Sequence, residues 1–210
     1  MISSGRVTFS RCCRLMGIQE RQQRISLMDL TDEKIVEQCL KGDREIYSLL
    51  VDKYQQMIYV LAYRMLGDEA AAKDAAQESF ISGYLSLRSF RREAKFSSWL
   101  TSIALNKCRD MLRGRKDTVS VDDLGDVLPG KGADPEERYR QKENEDVLQE
   151  ALGKLPDEYR EVIVLKHIRG LDYAEIAQTA GVSEGALKIR AWRAREMLRF
   201  LLKEGQGTHV

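Results

Sequence analysis

The stretch from Asp172 to Arg199, DYAEIAQTAGVSEGALKIRAWRAREMLR, constrains this chain more than any other. Apolar residues recur every three or four positions on both sides of Gly181, so the segment reads as two helices joined by a tight turn. Ile176 and Ala177 face inward on the first helix, Gly181 permits the turn and Val182 plugs it. Ser183 offers its hydroxyl as N-cap of the second helix. There Leu187, Ala191, Ala194 and Leu198 share one stripe, which turns Lys188, Arg190, Arg193, Arg195 and Arg199 outward. A helix of this kind fits the DNA major groove, where Arg and Lys reach phosphates or guanine edges. The competing reading is a helical hairpin whose basic residues form a solvated face.

Ile189 lies about 200° around that helix from Leu187, and Trp192 about 140°, so both are expected to point away from the core. Large apolar groups left outside usually have a partner. Ile189 suits a thymine methyl, and Trp192 suits a sugar-phosphate surface or cover by an inhibitory protein. The alternative for Trp192 is packing against the preceding helix or the chain terminus.

The first 27 residues show no period, and from Met28 on the chain takes up the same 3.6-residue signal. A short helix is expected from Asp32 to Lys41, ended by Gly42. A long one follows from Asp43 to Leu66 on Tyr47, Leu50, Tyr54, Ile58, Leu61 and Met65, with Gly67 as its stop. A third helix runs from Asp68 to about Leu87, and a fourth from Phe96 to Arg113. Glycine, proline and acidic residues between Gly114 and Pro135 mark a linker. A polar helix spans about Glu136 to Leu152, and Pro156 opens PDEYREVIVLKHIRG, which Gly170 closes. No strand-like alternation of useful length occurs. The expected fold is all-α, with two small helical domains, 28–113 and 136–204, joined by a flexible acidic linker at 114–135. Residues 205–210 form a tail, and residues 1–27 are either a tail or lie upstream of a true start at Met28.

A formal charge of +1 conceals a segregation. Between Arg88 and Lys116 nine Lys or Arg face two acids, whereas from Asp117 to Glu150 eleven acids face four Lys or Arg. The first stretch is a candidate nucleic-acid surface and the second a solvated acidic connector. The cysteines, Cys12, Cys13, Cys39 and Cys108, have no metal or redox spacing, so reduced thiols are expected; Cys12 and Cys13, though adjacent, do not by themselves make a redox site. No signal peptide or membrane span is evident, and the cytoplasm is the expected location. The only histidines are His167 and His209. No nucleophile, base and orienting residue come together in any motif, and no metal or cofactor is expected, so an enzyme is not.

Three further runs carry a family resemblance. DAAQESF, Asp74 to Phe80, resembles the polymerase-docking helix of sigma factors. SFRREAKFSSWLTSIALNKCRDMLR, Ser89 to Arg113, resembles their promoter-melting and minus-ten reading segment. The run from Leu155 to Leu198 resembles their minus-thirty-five domain. In this order, over about Leu30 to Leu202 and without the middle domain of housekeeping factors, they resemble the extracytoplasmic-function group of the sigma-70 family. The resemblance implies an alternative sigma factor that binds core RNA polymerase and promoter DNA, and an anti-sigma partner. Asp74, Gln77 and Glu78 would dock on the clamp helices of the largest subunit, and the C-terminal domain on the flap of the second-largest. Ser183, Glu184, Ala186, Lys188, Ile189, Arg190, Trp192 and Arg193 would read the minus-thirty-five element. The loop holding Arg88, Phe90, Arg91, Arg92 and Lys95 would capture an extruded minus-ten base, with Asn106, Arg109 and Arg113 beside it.

The residues themselves are consistent with these roles. Asp74, Gln77 and Glu78 stand at i, i+3 and i+4 on an alanine-rich helix, whose solvated alternative is an ordinary polar face. A basic loop with an aromatic holds a single strand by charge on the backbone and stacking on a base. Phe96, Trp99, Leu100, Ile103 and Ala104 form a core stripe, so Trp99 is expected inside rather than on DNA. Asn106 has two readings, a promoter contact or a semi-buried hydrogen-bonded amide. Arg109 and Arg113 are candidates for phosphate, and Asp110 for a bridge between helices. The family carries larger residues at the Ala75 and Ser79 positions, and Gly in many members where Arg92 stands, so the docking helix and the loop are expected to pack and turn differently. The linker would thread toward the RNA exit path, with Asp122, Asp123 and Asp126 keeping it off DNA. The rival reading is a stand-alone dimeric helix-turn-helix regulator on a palindromic operator; a helical protein-interaction module is a third.

Overall fold

The computed structural model describes residues 30–117 and 135–206. Met28, Cys12, Cys13, His209, and the acidic linker residues Asp122, Asp123 and Asp126 lie outside the described residues. Every regular element among the described residues is helical: α1 Asp32–Leu40, α2 Tyr47–Leu66, α3 Glu69–Leu85, α4 Phe96–Asp117, α5 Pro135–Gly153, α6 Asp157–Ile163, α7 Tyr173–Ala180 and α8 Glu184–Gln206. A 3-10 turn at Leu87–Ser89 follows α3, and a π turn at Val164–Ile168 continues α6. The protein is an all-α fold, as its periodicity predicts.

Contacts divide the chain into two compact units, one up to Lys53 and one from Tyr54 on, with the boundary inside α2. In the first unit Ile35, Val36 and Cys39 are buried on α1, as are Ile46, Tyr47 and Leu50 beyond it. In the second, Ile58, Leu61 and Met65 of α2, Phe96, Leu100 and Leu105 of α4, and Ile176, Leu187 and Ala191 of α7 and α8 are fully or almost fully enclosed. A further cluster joins Leu152 and Leu155 to Ile163, Ala194 and Leu198. The second unit thus takes in residues 54–113 of the first expected domain together with the second.

Several boundaries differ from the sequence reading. The long helix begins at Tyr47 rather than Asp43, because backbone bonds from Tyr47, Ser48 and Leu49 close three-residue turns before the α-helical ladder starts. The third helix ends at Leu85 and tightens into the 3-10 turn. The fourth runs on through Gly114 to Asp117, so the expected start of the linker is helical. Side-chain caps open the helices α3 and α7. Asp68 accepts from the Ala71 N–H at 2.6 Å, and Asp172 with Glu175 forms a reciprocal capping box at 2.7 and 3.0 Å.

Candidate nucleic-acid and polymerase interface

The turn between α7 and α8 is built as its sequence suggests. Gly181 sits at φ 69°, a left-handed position, and its N–H closes α7 onto the Ala177 carbonyl at 2.9 Å. A Cβ there would meet nothing within 4 Å, so the backbone angle and not crowding demands glycine. Ser183 Oγ accepts from the Ala186 N–H at 3.4 Å, a long cap. Leu187, Ala191, Ala194 and Leu198 are buried in one stripe. That stripe fixes the outward side: Lys188 and Arg193 are exposed, and Ile189 and Trp192 are 55% and 60% exposed. Among the described residues Trp192 is thus mostly uncovered, and the chain terminus of its packing alternative lies outside them. Ser183 and Glu184 are exposed at the start of the helix, and Ala186 is half-buried. Two of the basic side chains are steered by α6: Arg190 Nη2 meets Glu158 at 2.8 Å, and Arg193 Nη1 donates to the Tyr159 hydroxyl at 3.4 Å.

On α3 the polar face stands as expected, with Asp74, Gln77 and Glu78 all exposed. Glu78 is held by Lys107 of α4 at 3.2 Å. Beneath the face Ala75 and Ser79 are buried, and the Ser79 hydroxyl donates to the Ala75 carbonyl at 2.5 Å. The buried serine is thus satisfied by its own helix. The same face continues into Ile81 and Leu85, 52% and 76% exposed, which periodicity reading passed over because it stopped at the polar residues.

The loop before α4 departs from expectation at its aromatic. Phe90 is buried, edge-on to Phe96 with ring centroids 5.6 Å apart and 5.2 Å from the Trp99 ring. Its ring is core and is not available to stack on a base. Arg88, Arg91, Arg92 and Lys95 are exposed around it, so the loop keeps its charge without its aromatic. Arg92 holds φ 61°, the only non-glycine residue with a positive φ among the described residues. Arg92 thus takes a left-handed backbone position that strains a residue carrying a Cβ. Trp99 is half-buried and closes the aromatic cluster, more core than surface.

On α4, Asn106 is exposed, and its Oδ1 accepts from Arg109 Nη1 at 3.1 Å, so the semi-buried reading does not hold. Arg109 is not free for phosphate as expected: Nε and Nη2 donate to the two Glu161 oxygens at 2.8 and 2.6 Å. That carboxylate pushes the Arg109 pKa up despite partial burial. Arg113 is exposed and pairs with Asp110 one turn away, so Asp110 makes this bond within its own helix rather than a bridge between helices. Residues the sequence did not single out join the segments: Arg160, Glu161, Arg64 and Gln149, with Gln149 Nε2 donating to the Tyr63 carbonyl at 3.2 Å and Arg64 Nη1 to Gln149 Oε1 at 3.2 Å. Among the described residues no group of His, Cys, Asp and Glu is placed to hold a metal, and no helix is long and apolar enough to cross a membrane.

The family model Sigma-70 region 2 matches residues 50–118, and Sigma-70, region 4 matches residues 145–198. The ECF RNA polymerase sigma factor SigW of Bacillus subtilis is 37% identical over 186 residues, covering 84% of this chain and 100% of that protein. The ECF RNA polymerase sigma-E factor of Haemophilus influenzae is 34% identical over 179 residues, covering 80% of this chain and 94% of that one. Among solved structures, CnrH in complex with the cytosolic domain of CnrY is similar at a TM-score of 0.60 and 29% identity, over 82% of this chain and 97% of that chain. The sigma factor RpoE in complex with the anti-sigma factor NepR from Bartonella quintana is similar at 0.62, over 75% of this chain and 96% of that one. At 23% identity the second likeness is one of fold.

Proposed function

We propose how this chain acts from one premise: it belongs to the extracytoplasmic-function group of the sigma-70 family. It is an alternative sigma factor, a transcription initiation factor. In our reading α8 enters the major groove of the minus-thirty-five duplex, with Lys188 and Arg193 on phosphate or guanine and Ile189 and Trp192 on apolar or sugar surface. The basic loop of Arg88, Arg91, Arg92 and Lys95 holds the opened minus-ten strand by charge, with Asn106, Arg109 and Arg113 beside it. Asp74, Gln77 and Glu78 dock on the polymerase clamp helices, and the C-terminal segment on the flap. The chain acts by binding, in the cytoplasm where polymerase and promoters are. By analogy with CnrH and RpoE, each solved with a protein bound, it is held by an anti-sigma partner.

The observation that carries this reading is the shared exposure of Asp74, Gln77 and Glu78 on one face of α3 in a chain that also presents Lys188, Ile189 and Trp192 from α8. An operator-binding regulator needs only the second. The test is binding to bacterial core RNA polymerase freed of other sigma factors. Tight binding that Asp74→Ala and Gln77→Ala each weaken is expected. Absence of binding, with dimeric binding to duplex DNA, would transfer the assignment to a stand-alone regulator.

A further inference from the structure

The basic side chains of α8 are not equivalent, and α6 makes the difference. Three residues along an α-helix leave a net turn of about 60°, so Arg190 follows the buried Leu187 onto the flank of the helix, and Arg193 lies a further step round, toward the outward Ile189. Arg190 is accordingly half-buried and Arg193 exposed. Glu158 and Tyr159, in the first turn of α6, meet that flank. Arg190 Nη2 is 2.8 Å from Glu158 Oε2, with 32% of the arginine side chain and 53% of the glutamate exposed. Arg193 Nη1 donates to the Tyr159 hydroxyl at 3.4 Å, and Tyr159 itself packs against the cluster of Leu152, Leu155, Ile163, Ala194 and Leu198. That hydroxyl pushes the Arg193 pKa up, so the guanidinium keeps its charge. Lys188, on the other side of Ile189, has a looser contact, Glu184 of its own helix at 3.8 Å. One arginine of the flank is therefore matched by a carboxylate and the next by an uncharged oxygen.

We propose that Glu158 is a positioning residue of the DNA reader: it withdraws Arg190 from the phosphate backbone and leaves Arg193 as the guanidinium that contacts DNA from this flank of α8. The role rests on reading α8 as the helix that enters the groove. A guanidinium fits a carboxylate and a phosphate by the same geometry, so the partner already at hydrogen-bond distance competes directly with DNA. To reach a phosphate, Arg190 would give up Glu158 and leave an unpaired acid beside the duplex. A matched pair also releases no counterion from DNA, so it adds nothing to sequence-independent affinity. Tyr159 acts differently on Arg193: being uncharged, it orders the guanidinium without neutralising it, and a side chain ordered beforehand loses less freedom on binding. The grip of α8 on any duplex is thus one phosphate contact weaker than its count of basic residues suggests.

The test uses the full chain and reads the slope of log K against log salt by fluorescence anisotropy. One arm takes a random-sequence duplex with the chain alone, the other a promoter fragment selected by the wild-type chain with core polymerase. Freeing Arg190 in Glu158→Gln is expected to steepen the slope by about 0.9 and to tighten binding about fivefold near about 0.1 M salt. The double variant Glu158→Gln, Arg190→Gln lacks the pair as a whole and is expected to return to the wild-type slope and affinity. Arg193→Gln is expected to flatten the slope by about 0.9. An unchanged slope in Glu158→Gln or in Arg193→Gln overturns the role. So does a double variant flatter than wild type, because Arg190 would then contact phosphate with Glu158 in place. A merely structural pair would move the melting temperature and none of these slopes. If the double variant loses helix by circular dichroism, the swapped pair Glu158→Arg, Arg190→Glu decides: a wild-type slope supports the role, and any other overturns it. The duplex arm needs no polymerase, so the two readings fail separately. The expected slopes on duplex DNA without binding to core polymerase keep the role of Glu158 and lose the sigma reading. Polymerase-dependent promoter binding with slopes indifferent to Glu158→Gln does the reverse, and a wild-type chain that binds DNA in neither arm loses both.

Discussion

Arg160 Nη1 donates to the Met65 carbonyl at 2.5 Å, so a side chain of α6 caps the C-terminal end of α2, 95 residues earlier. Its other donors serve the end of α5 and the turn after it: Nε the Leu152 carbonyl at 2.8 Å, and Nη2 those of Gly153 and Leu155 at 2.9 and 3.1 Å. Helix C-termini leave carbonyls without partners, and their dipoles favour a cation. One guanidinium answers both needs for two helices at once. Burial lowers its pKa, and nearby Asp157 opposes that.

Arg160→Met is accordingly expected to leave several buried carbonyls unsatisfied and to cost about 3–5 kcal/mol. Followed by thermal circular dichroism, that corresponds to a melting point lower by roughly 10 °C. Arg160→Lys is expected to recover part of the loss, because an ammonium keeps the charge but not the planar fork. An unchanged melting point in Arg160→Met would show that water reaches these carbonyls.

Phe90→Ala separates core from DNA contact in the loop. A buried ring touching Phe96 and Trp99 predicts a loss of about 3–5 kcal/mol in urea unfolding. A ring reserved for base stacking would leave the urea midpoint where it was.

What was legible in the sequence, and what was not, divides along these residues. The turn at Gly181 and the buried stripe of Leu187, Ala191, Ala194 and Leu198 are local patterns, set by spacing within a few residues. So is the outward turn of Ile189 and Trp192. Phe90 was misassigned because charge around it outweighed a nearer signal, its closeness in sequence to Phe96 and Trp99. Arg109 with Glu161 and Arg160 with Met65 leave no local trace, since their partners lie 52 and 95 residues away. The exposed Ile81 and Leu85 of α3 follow from the same periodicity as Asp74 and Glu78 and need only two more turns of it.

Arg92→Gly is expected to stabilise the chain by up to about 1 kcal/mol, since relief of a left-handed arginine exceeds the extra backbone entropy of glycine. The urea midpoint should rise with an unchanged slope. A lower midpoint would mean that the Arg92 side chain contributes more than its backbone costs.

Cys108 is buried, and burial, with Glu161 adding to it, pushes its thiol up to about 12 from the ordinary 9.0. Native Cys108 is expected to resist alkylation at about pH 8 and to react fully in denaturant, as read by peptide mass spectrometry. The sign of the stability effect follows from the protons. Above pH 9.0 the unfolded thiol releases a proton that the native one keeps until about 12. This contribution is therefore complete below 9.0 and is lost as pH rises to about 12, at about 1.4 kcal/mol per unit. Cys108→Ala should flatten that alkaline slope.

Ile189 and Trp192 offer the sharpest separation of folding from binding. Both side chains are more than half exposed on α8, and the stripe that packs the helix lies elsewhere. Ile189→Ala and Trp192→Ala are expected to shift stability by less than about 0.5 kcal/mol. If α8 reads the minus-thirty-five duplex, each should weaken polymerase-dependent promoter binding by about 1 kcal/mol, roughly fivefold, without changing binding to core polymerase alone. Their salt dependence should match wild type, because neither carries charge, whereas Lys188→Ala should reduce the slope of log K against log salt by about 0.9. Unchanged promoter binding in both apolar variants, with a reduced slope in Lys188→Ala, would confine α8 to the phosphate backbone and assign the exposed Ile189 and Trp192 to a protein partner instead.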